Sequence, residues 1–173
     1  KSIRGIFERG NHINLSKKFS TKSINFPFTP PFSFVNKLSL RIFNPIYYYL
    51  KKLLSNKSVQ HYKSFLHPLD KILNWNRMYG TKGFYQFQCV IPRKNSQEAI
   101  SSILSLMKSH NSGSFLAVLK TFSDYKSIGL LSFAEPGVTL ALDFANNGKI
   151  TKKLFSKLEH TVASFEGKVY LAK

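Results

Sequence analysis

Acidic residues and cysteine are the residue types that this sequence most lacks. Of its 173 residues, 26 are lysine or arginine and only 8 are aspartate or glutamate, so the formal net charge is +18. The single cysteine, Cys89, excludes an internal disulfide and a cysteine-rich metal cluster. No stretch approaches the ~20 apolar residues that a membrane-spanning helix needs. These absences exclude a disulfide-stapled scaffold and predict no transmembrane segment.

Motifs that would define a metal site or a common catalytic centre are also missing. No spacing typical of paired metal ligands occurs among the five histidines, His12, His61, His67, His110 and His160. We find no Ser-His-Asp grouping, no phosphate-binding loop and no glycine-rich dinucleotide turn. We therefore predict no metal site, and these motif searches alone do not identify an enzyme.

The positive charge is spread unevenly along the chain. Residues 1–63 carry 12 basic side chains and one acid, Glu8. Such a surplus indicates an anionic partner: nucleic acid, lipid headgroups or a phosphorylated substrate. The alternative is that another part of the protein balances the charge. The first methionine is Met78, and the chain stops at Lys173 directly after a strand-like run. We therefore interpret the chain as a fragment.

The first 63 residues are predicted to be a basic, partly helical segment of the same domain as the remainder. Residues 1–30 read as irregular and end in a proline-rich stretch. Residues 32–54 are predicted to be helical in two pieces, with the break at Asn44-Pro45. One face of the second piece is apolar, and it is expected to pack on a sheet or, alternatively, to lie on a membrane surface: Ile46, Tyr49, Leu50, Leu53 and Leu54.

Residues 64–173 show a regular alternation of strands and helices. Strands are predicted at 84–91, 115–122, 138–144 and 168–172, with a short extra strand at 129–133. A helix at 95–110 would begin with a capping box of Asn95 and Glu98, and Thr151 would cap a second helix. The order β-α-β-β-α-β predicts an α+β, ferredoxin-like antiparallel sheet with both helices on one face. The other face would be free for a ligand or partner.

Several polar residues interrupt the apolar strands. Strand alternation places Gln86 and Gln88 on the face opposite Tyr85 and Phe87. Two adjacent amides suit a planar polar ligand, although a solvent-exposed sheet face would show the same pattern. Lys120 lies within an apolar run and would either reach water from an edge strand or meet an anion. Asp143 also lies in an apolar strand, and it either has a partner or marks the strand's end.

Ordered motifs from residue 65 onward resemble a known family. They are found at 65–70 (FLHPLD), 75–80 (WNRMYG), 83–88 (GFYQFQ), 114–120 (SFLAVLK), 136–144 (PGVTLALDF) and 167–173 (GKVYLAK). At this spacing they resemble the C-terminal substrate-binding domain of bacterial FAD-linked oxidases of the vanillyl-alcohol-oxidase superfamily. The likeness covers residues 65–173 well and the first 64 only loosely.

The resemblance implies an FAD-dependent oxidoreductase that oxidises a CH–OH group of a sugar or polyprenyl-phosphate-linked sugar. FAD would be held mainly by a flavin-binding domain absent from this chain, so the fragment alone would be inactive. The resemblance assigns catalytic roles to Lys173 and Lys120, and flavin contacts to Gln88, Tyr170 and Lys173. It assigns the substrate to Gln86, Gln88, Lys120, Thr139 and Ala141.

Three positions depart from the family pattern, and one of them is Leu66, which stands where the family has a tyrosine before its His-Pro pair. Ala141 stands where an actinobacterial member has cysteine, and Thr139 stands where it has asparagine. The substrate is therefore expected to differ from that member's. The resemblance places the protein in the cytoplasm, peripheral to the inner membrane.

The alternative function is a basic ferredoxin-like module that binds nucleic acid. Such modules expose aromatic side chains on the open sheet face, whereas here that face carries Gln86 and Gln88. A nucleic-acid partner is accordingly not expected.

Overall fold

The computed structural model of the protein describes residues 5–14, 23–54, 58–110, 112–114, 117–125, 128–130 and 132–171. Short 3-10 turns lie at Pro68–Lys71, Trp75–Tyr79 and Arg93–Asn95. The helices and strands follow in the order β1 Ile24–Asn25, α1 Lys37–Leu53, α2 Tyr62–Leu66, β2 Ile72–Leu73, β3 Phe84–Pro92, α3 Ser96–Ser109, β4 Ala117–Phe122, β5 Gly137–Ala145, α4 Lys149–Ser164 and β6 Lys168–Val169.

Strands β3 to β6 form one antiparallel sheet in the order β4-β5-β3-β6. With α3 between β3 and β4 and α4 between β5 and β6, the chain follows the predicted β-α-β-β-α-β order. Strands β3 and β5, which precede α3 and α4, are neighbours at the centre of the sheet. Both helices pack over the same face, as in ferredoxin-like folds. The predicted α+β class is confirmed.

Helices α3 and α4 cover one face of this sheet. Each helix presents an apolar stripe at helical spacing, and both stripes meet alternate side chains of β3 and β5. The fully buried members of this main core include Phe87, Cys89 and Ile91 from β3, Leu140, Leu142 and Phe144 from β5, Ile103 from α3, and Leu154 and Leu158 from α4. Burial of these side chains is the main source of stability for the sheet.

A second, smaller core lies on the opposite face of the sheet. Val35, Leu40 and Tyr79 are buried there and pack against Phe84 and Ala145. These last two residues are cross-strand partners on the face away from α3 and α4. The face predicted to be free is therefore covered at this end by the N-terminal segment together with Tyr79. Strand β1 of that segment pairs in parallel with β2.

Helix α1 differs from its prediction in two ways. It is one continuous helix through Pro45, begun by a capping box of Asn36 and Ser39, so the predicted break at Asn44-Pro45 is wrong. Proline removes one backbone hydrogen bond, but the apolar stripe keeps its helical phase across it. The expected packing on the sheet is also wrong, because Ile46, Tyr49, Leu50, Leu53 and Leu54 are 52–79% exposed.

Both predicted helix caps of the main domain also differ. Asn95 precedes α3 without a side-chain cap, and its amide Nδ2 instead donates to the carbonyl oxygen of Phe165 at 3.1 Å. Thr151 lies inside α4, where its hydroxyl donates to the carbonyl oxygen of Ala145 and accepts from the Asn147 amide. A long-range contact takes the Asn95 side chain that the pattern assigned to capping, and contacts with the turn before α4 take that of Thr151.

The strand predictions agree with the structure except at their ends. Described residues of the predicted strand at 129–133 form no strand. The last strand is shorter than predicted, although the Tyr170 amide continues its ladder to the carbonyl oxygen of Gln88. Some predicted positions lie outside the described residues, among them 115, 116 and 172 of the predicted strands and 173 of the predicted site. Within the described ranges no helix has the length and apolar character to cross a bilayer.

Candidate functional site

The predicted polar residues of the strands lie on the sheet face opposite α3 and α4. Cross-strand partners share a face, and the register pairs Gln86 with Asp143, Gln88 with Ala141, and Lys120 with Thr139. Together Gln86, Gln88, Lys120, Thr139 and Asp143 make a strip across β3, β5 and β4, here called the polar strip. The structure thus brings together side chains from three strands that the sequence separates widely.

Two amide contacts order the polar strip. The Nε2 atom of Gln86 donates to Oδ1 of Asp143 at 2.9 Å, and Nε2 of Gln88 donates to Oγ1 of Thr139 at 3.2 Å. Asp143 is almost completely buried, and its backbone amide donates to the Ser114 hydroxyl at 2.8 Å. The acid predicted to need a partner therefore has one. Since each amide nitrogen carries two hydrogens and each amide oxygen accepts, both glutamines retain capacity for a ligand.

Lys120 lies on β4, which is an edge strand of the sheet, and its side chain is exposed. Within the described part of the chain, no acidic group lies within 4 Å of its ammonium group. Its cross-strand partner Thr139 is buried. The lysine therefore offers a positive charge beside the strip without a protein counter-ion among the described residues.

One end of the polar strip is bounded by an aromatic wall. The ring of Phe133 lies 4.9 Å from the ring of Tyr170 and 6.3 Å from that of Phe122. Phe122 and Tyr170 belong to opposite edges of the sheet, so Phe133 spans the sheet between them. Glu135 and Lys168 form an ion pair in the same region. The wall explains why Thr139 is buried on a face that α3 and α4 leave open.

The other end of the polar strip is bounded by Tyr79. Its ring stacks on Phe84 at 4.4 Å, and Gly80 lets the chain pass directly against the backbone of Phe32. Burial raises the pKa of the Tyr79 phenol above its ordinary value, and the Asp143 carboxylate raises it further. The buried hydroxyl has no hydrogen-bond partner among the described residues. Tyr79 therefore stays a neutral hydrogen-bond donor at this end.

Two concavities flank the strip, one beyond each wall. The first, of about 240 Å³, lies between residues 31–33 and the turn after β5, and Tyr79 lines it. The second, of about 580 Å³, lies between Pro92 and residues 129–136. The strip itself is a shallow floor between the walls. A ligand on it would need a covering surface from outside the described residues.

The remaining candidate residues lie partly beside the polar strip and partly outside the described residues. Ala141 and Tyr170 lie beside Gln88, while Lys173 lies outside the described residues. Burial raises the pKa of the Cys89 thiol to about 11, so this cysteine is a core residue. Among the described residues no group of histidine, cysteine and acidic side chains could hold a metal ion.

Sequence reasoning missed Tyr79 and Phe133 as the boundaries of the strip. Tyr79 is part of the motif at 75–80 and precedes a glycine, which is a signal for close backbone approach. Phe133 was assigned to a short strand, and no local pattern indicates that its ring crosses the sheet.

The motifs resemble one class of protein, the substrate-binding domain of FAD-linked oxidases. Over 143 residues, or 83% of its length, the chain is 34% identical to the decaprenylphosphoryl-beta-D-ribose oxidase of Mycolicibacterium smegmatis. This match is longer than the stretch from residue 65 to residue 173 that carries the motifs, and it confirms the resemblance. The matched part is 30% of that relative, so the chain spans less than a third of its length. No family model matches the chain.

Proposed function

We propose that the chain is the substrate-binding domain of an FAD-dependent oxidoreductase that oxidises a CH–OH group of a sugar or lipid-linked sugar by hydride transfer. One observation carries the proposal: a chain 34% identical to a sugar-lipid oxidase displays a polar strip between two walls on the uncovered face of its sheet. The polar strip would face FAD and substrate, and the protein's own flavin domain would cover them from the side opposite the strip.

The residues of the strip fit a flavin and a hydroxylated substrate. The polar edge of the flavin ring carries carbonyl oxygens, ring nitrogens and one N–H group. The amides of Gln86 and Gln88 offer both donors and acceptors for such groups. When bound, FAD would accept the hydride from the substrate carbon.

Each residue of the site then has a task that its chemistry supports. Gln88 and Tyr170 would hold the edge of the ring, and Gln86 with Gln88 would orient the hydroxyl groups of the sugar. Lys120 would bind a sugar hydroxyl or a phosphate, since it is exposed beside the strip. Thr139 and Ala141 are small and would leave space for the sugar.

Lys173 is assigned the electrostatic role. Hydride uptake places negative charge on the flavin, and a lysine ammonium group held nearby would stabilise that charge during the transfer. The role rests on the resemblance of the motif at 167–173, which begins at the described strand β6. Because the matched region is 30% of the relative, we expect the 173-residue chain by itself to be catalytically silent.

A lipid-linked sugar as substrate would also determine where in the cell the reaction takes place. We propose that the protein acts in the cytoplasm at the surface of the inner membrane, where such a substrate would be held.

Flavin reduction in the full-length protein tests the proposal. Decaprenylphosphoryl-β-D-ribose, the compound named in the relative, is mixed anaerobically with the enzyme, and the loss of flavin absorbance is followed in stopped flow. Gln88→Ala and Lys120→Ala are expected to slow reduction on the order of 10–100-fold, because each removes a positioning contact. Lys173→Ala is expected to slow it on the order of 100-fold.

Matched controls come from α3, on the far side of the sheet. Gln97→Ala and Lys108→Ala remove the same side-chain types from exposed positions and are expected to leave the rate unchanged. Absence of flavin reduction by any sugar or lipid-linked sugar would refute the function. An unchanged rate in Lys173→Ala would remove that residue's role, and unchanged rates in both other variants would refute the site.

A further inference from the structure

Helix α1 carries eight of the large apolar side chains that are exposed among the described residues. The helix has only one buried residue, Leu40, near its beginning. The stripe formed by Leu38, Ile42, Ile46, Tyr49 and Leu53 is 53–79% exposed, and Phe43, Tyr47 and Leu50 extend it along one side. A monomeric protein rarely leaves a contiguous apolar surface of this size uncovered, so a partner of some kind is indicated.

The charges of α1 identify the kind of partner. At about 100° per residue, Arg41 and Lys52 lie along one flank of the apolar stripe, and no acidic residue occurs between Ser23 and Leu54. Lys51 lies on the side opposite the stripe and pairs with Glu8 at 2.7 Å. An apolar stripe flanked by basic residues, with almost no acid nearby, is complementary to anionic lipid headgroups above acyl chains.

Exposed aromatic side chains continue this surface before the helix begins. Phe28, Phe32 and Phe34 are all exposed, and Phe34 contacts the other two rings edge-on at 6.4 and 5.8 Å. Tyr47 and Tyr49 are exposed farther along α1, and large side chains of this kind are suited to the boundary between headgroups and acyl chains. A second copy of the chain fits less well, because it would bring Arg41 and Lys52 of two strongly basic chains together.

We propose that α1 and the preceding phenylalanines dock the protein on an anionic membrane surface, with the helix lying parallel to the bilayer. The apolar stripe enters the acyl boundary, while Arg41 and Lys52 remain at headgroup level. The inference stands on α1 and needs no substrate, so its failure would leave the proposed oxidase function untouched.

Vesicle binding by the full-length protein is the test. We expect the protein to float with vesicles of phosphatidylglycerol and phosphatidylcholine, and to bind phosphatidylcholine alone at least about tenfold more weakly. The double variant Ile46→Ser with Leu53→Ser is expected to lower binding at least about tenfold by removing apolar contact. Its matched control is Ile128→Ser with Leu130→Ser, which changes two fully exposed apolar residues elsewhere and leaves binding unchanged.

The electrostatic part has its own variants. Arg41→Gln with Lys52→Gln is expected to weaken binding to anionic vesicles roughly tenfold at low salt. Lys152→Gln with Lys153→Gln removes two exposed charges from α4 and is expected to have no effect. Equal losses of vesicle binding in the two double variants would show a general effect of net charge and overturn the assignment to α1.

A fluorophore attached at Leu50→Cys separates lipid from protein partners. Cys89 is fully buried, so labelling of this chain is directed to the new thiol. We expect a blue shift of the emission when anionic vesicles are added, and none from Ser156→Cys on α4. A probe that is already shielded before vesicles are added would show that another part of the protein or a second copy covers α1. That result, or absence of vesicle binding, would overturn the proposal.

Discussion

Replacing Gly80 with alanine would place a methyl group 2.7 Å from the carbonyl carbon of Phe32 and 2.9 Å from its oxygen. Both contacts are with backbone, which cannot rotate away as a side chain can. Gly80 also has φ +71°, where a non-glycine residue costs roughly 1–2 kcal/mol. Overpacking adds about 1–3 kcal/mol. We therefore expect a total loss of about 2–5 kcal/mol in the free energy of unfolding.

Gly83 provides the matched control for this variant. It has φ +68°, but a methyl group there would meet nothing within 4 Å. Gly83→Ala should therefore cost only the backbone strain, roughly 1–2 kcal/mol. The difference between the two variants isolates the contact between the turn at Gly80 and the N-terminal segment.

Urea unfolding of the 173-residue chain, followed by the fluorescence of its single tryptophan, measures this difference. Trp75 lies in the second core, with its ring 5.1 Å from Phe84, so its emission reports the packing that Gly80 permits. We expect Gly80→Ala to lower the midpoint more than Gly83→Ala and to shift the native emission of Trp75. Equal midpoints for the two variants would refute the close approach as a source of stability.

Two further predictions concern the core and the aromatic wall. Burial raises the pKa of Cys89 from 9.0 to about 11. Because the Cys89 thiol loses its proton at lower pH in the unfolded state, the free energy of unfolding should fall by about 2–3 kcal/mol as pH rises from 9.0 to about 11. Cys89→Val should flatten this part of a series of denaturation curves measured at different pH values. An unaltered slope would contradict the burial of Cys89 as the cause. Phe133→Ala should cost about 1–3 kcal/mol, because the ring spanning Phe122 and Tyr170 is half-buried; a change within measurement error would show that the wall does not contribute.

The strands and their faces could be predicted from the sequence because their signals are local and repeated. Alternation placed Gln86 and Gln88 on one face, and the structure has them there. The apolar stripes of α3 and α4 predicted two helices packed on the other face of the sheet, and both helices pack there. The position of Lys120 beside Thr139 followed only once the register of β4 and β5 was known.

The errors occurred where a single local signal did not decide the structure. Proline at position 45 reads as a helix break, yet α1 continues through it. Asn95 reads as a cap, yet its amide donates to the chain after α4. The covering of the open face by Tyr79 and Phe133 depends on contacts between segments distant in sequence, for which no pattern exists within either segment.

The place of Lys120 on the outer strand has a consequence for solubility. β4 is an edge strand in the described sheet, so one side of its backbone is available to pair with a strand of another molecule. A lysine on such a strand opposes that pairing, because two like charges would meet and a desolvated ammonium group is costly. Lys120→Ala would therefore remove this protection against aggregation together with the proposed ligand contact. Lys120→Arg, which keeps the charge on the edge strand but changes the shape of the donor, is the variant that keeps those two effects apart.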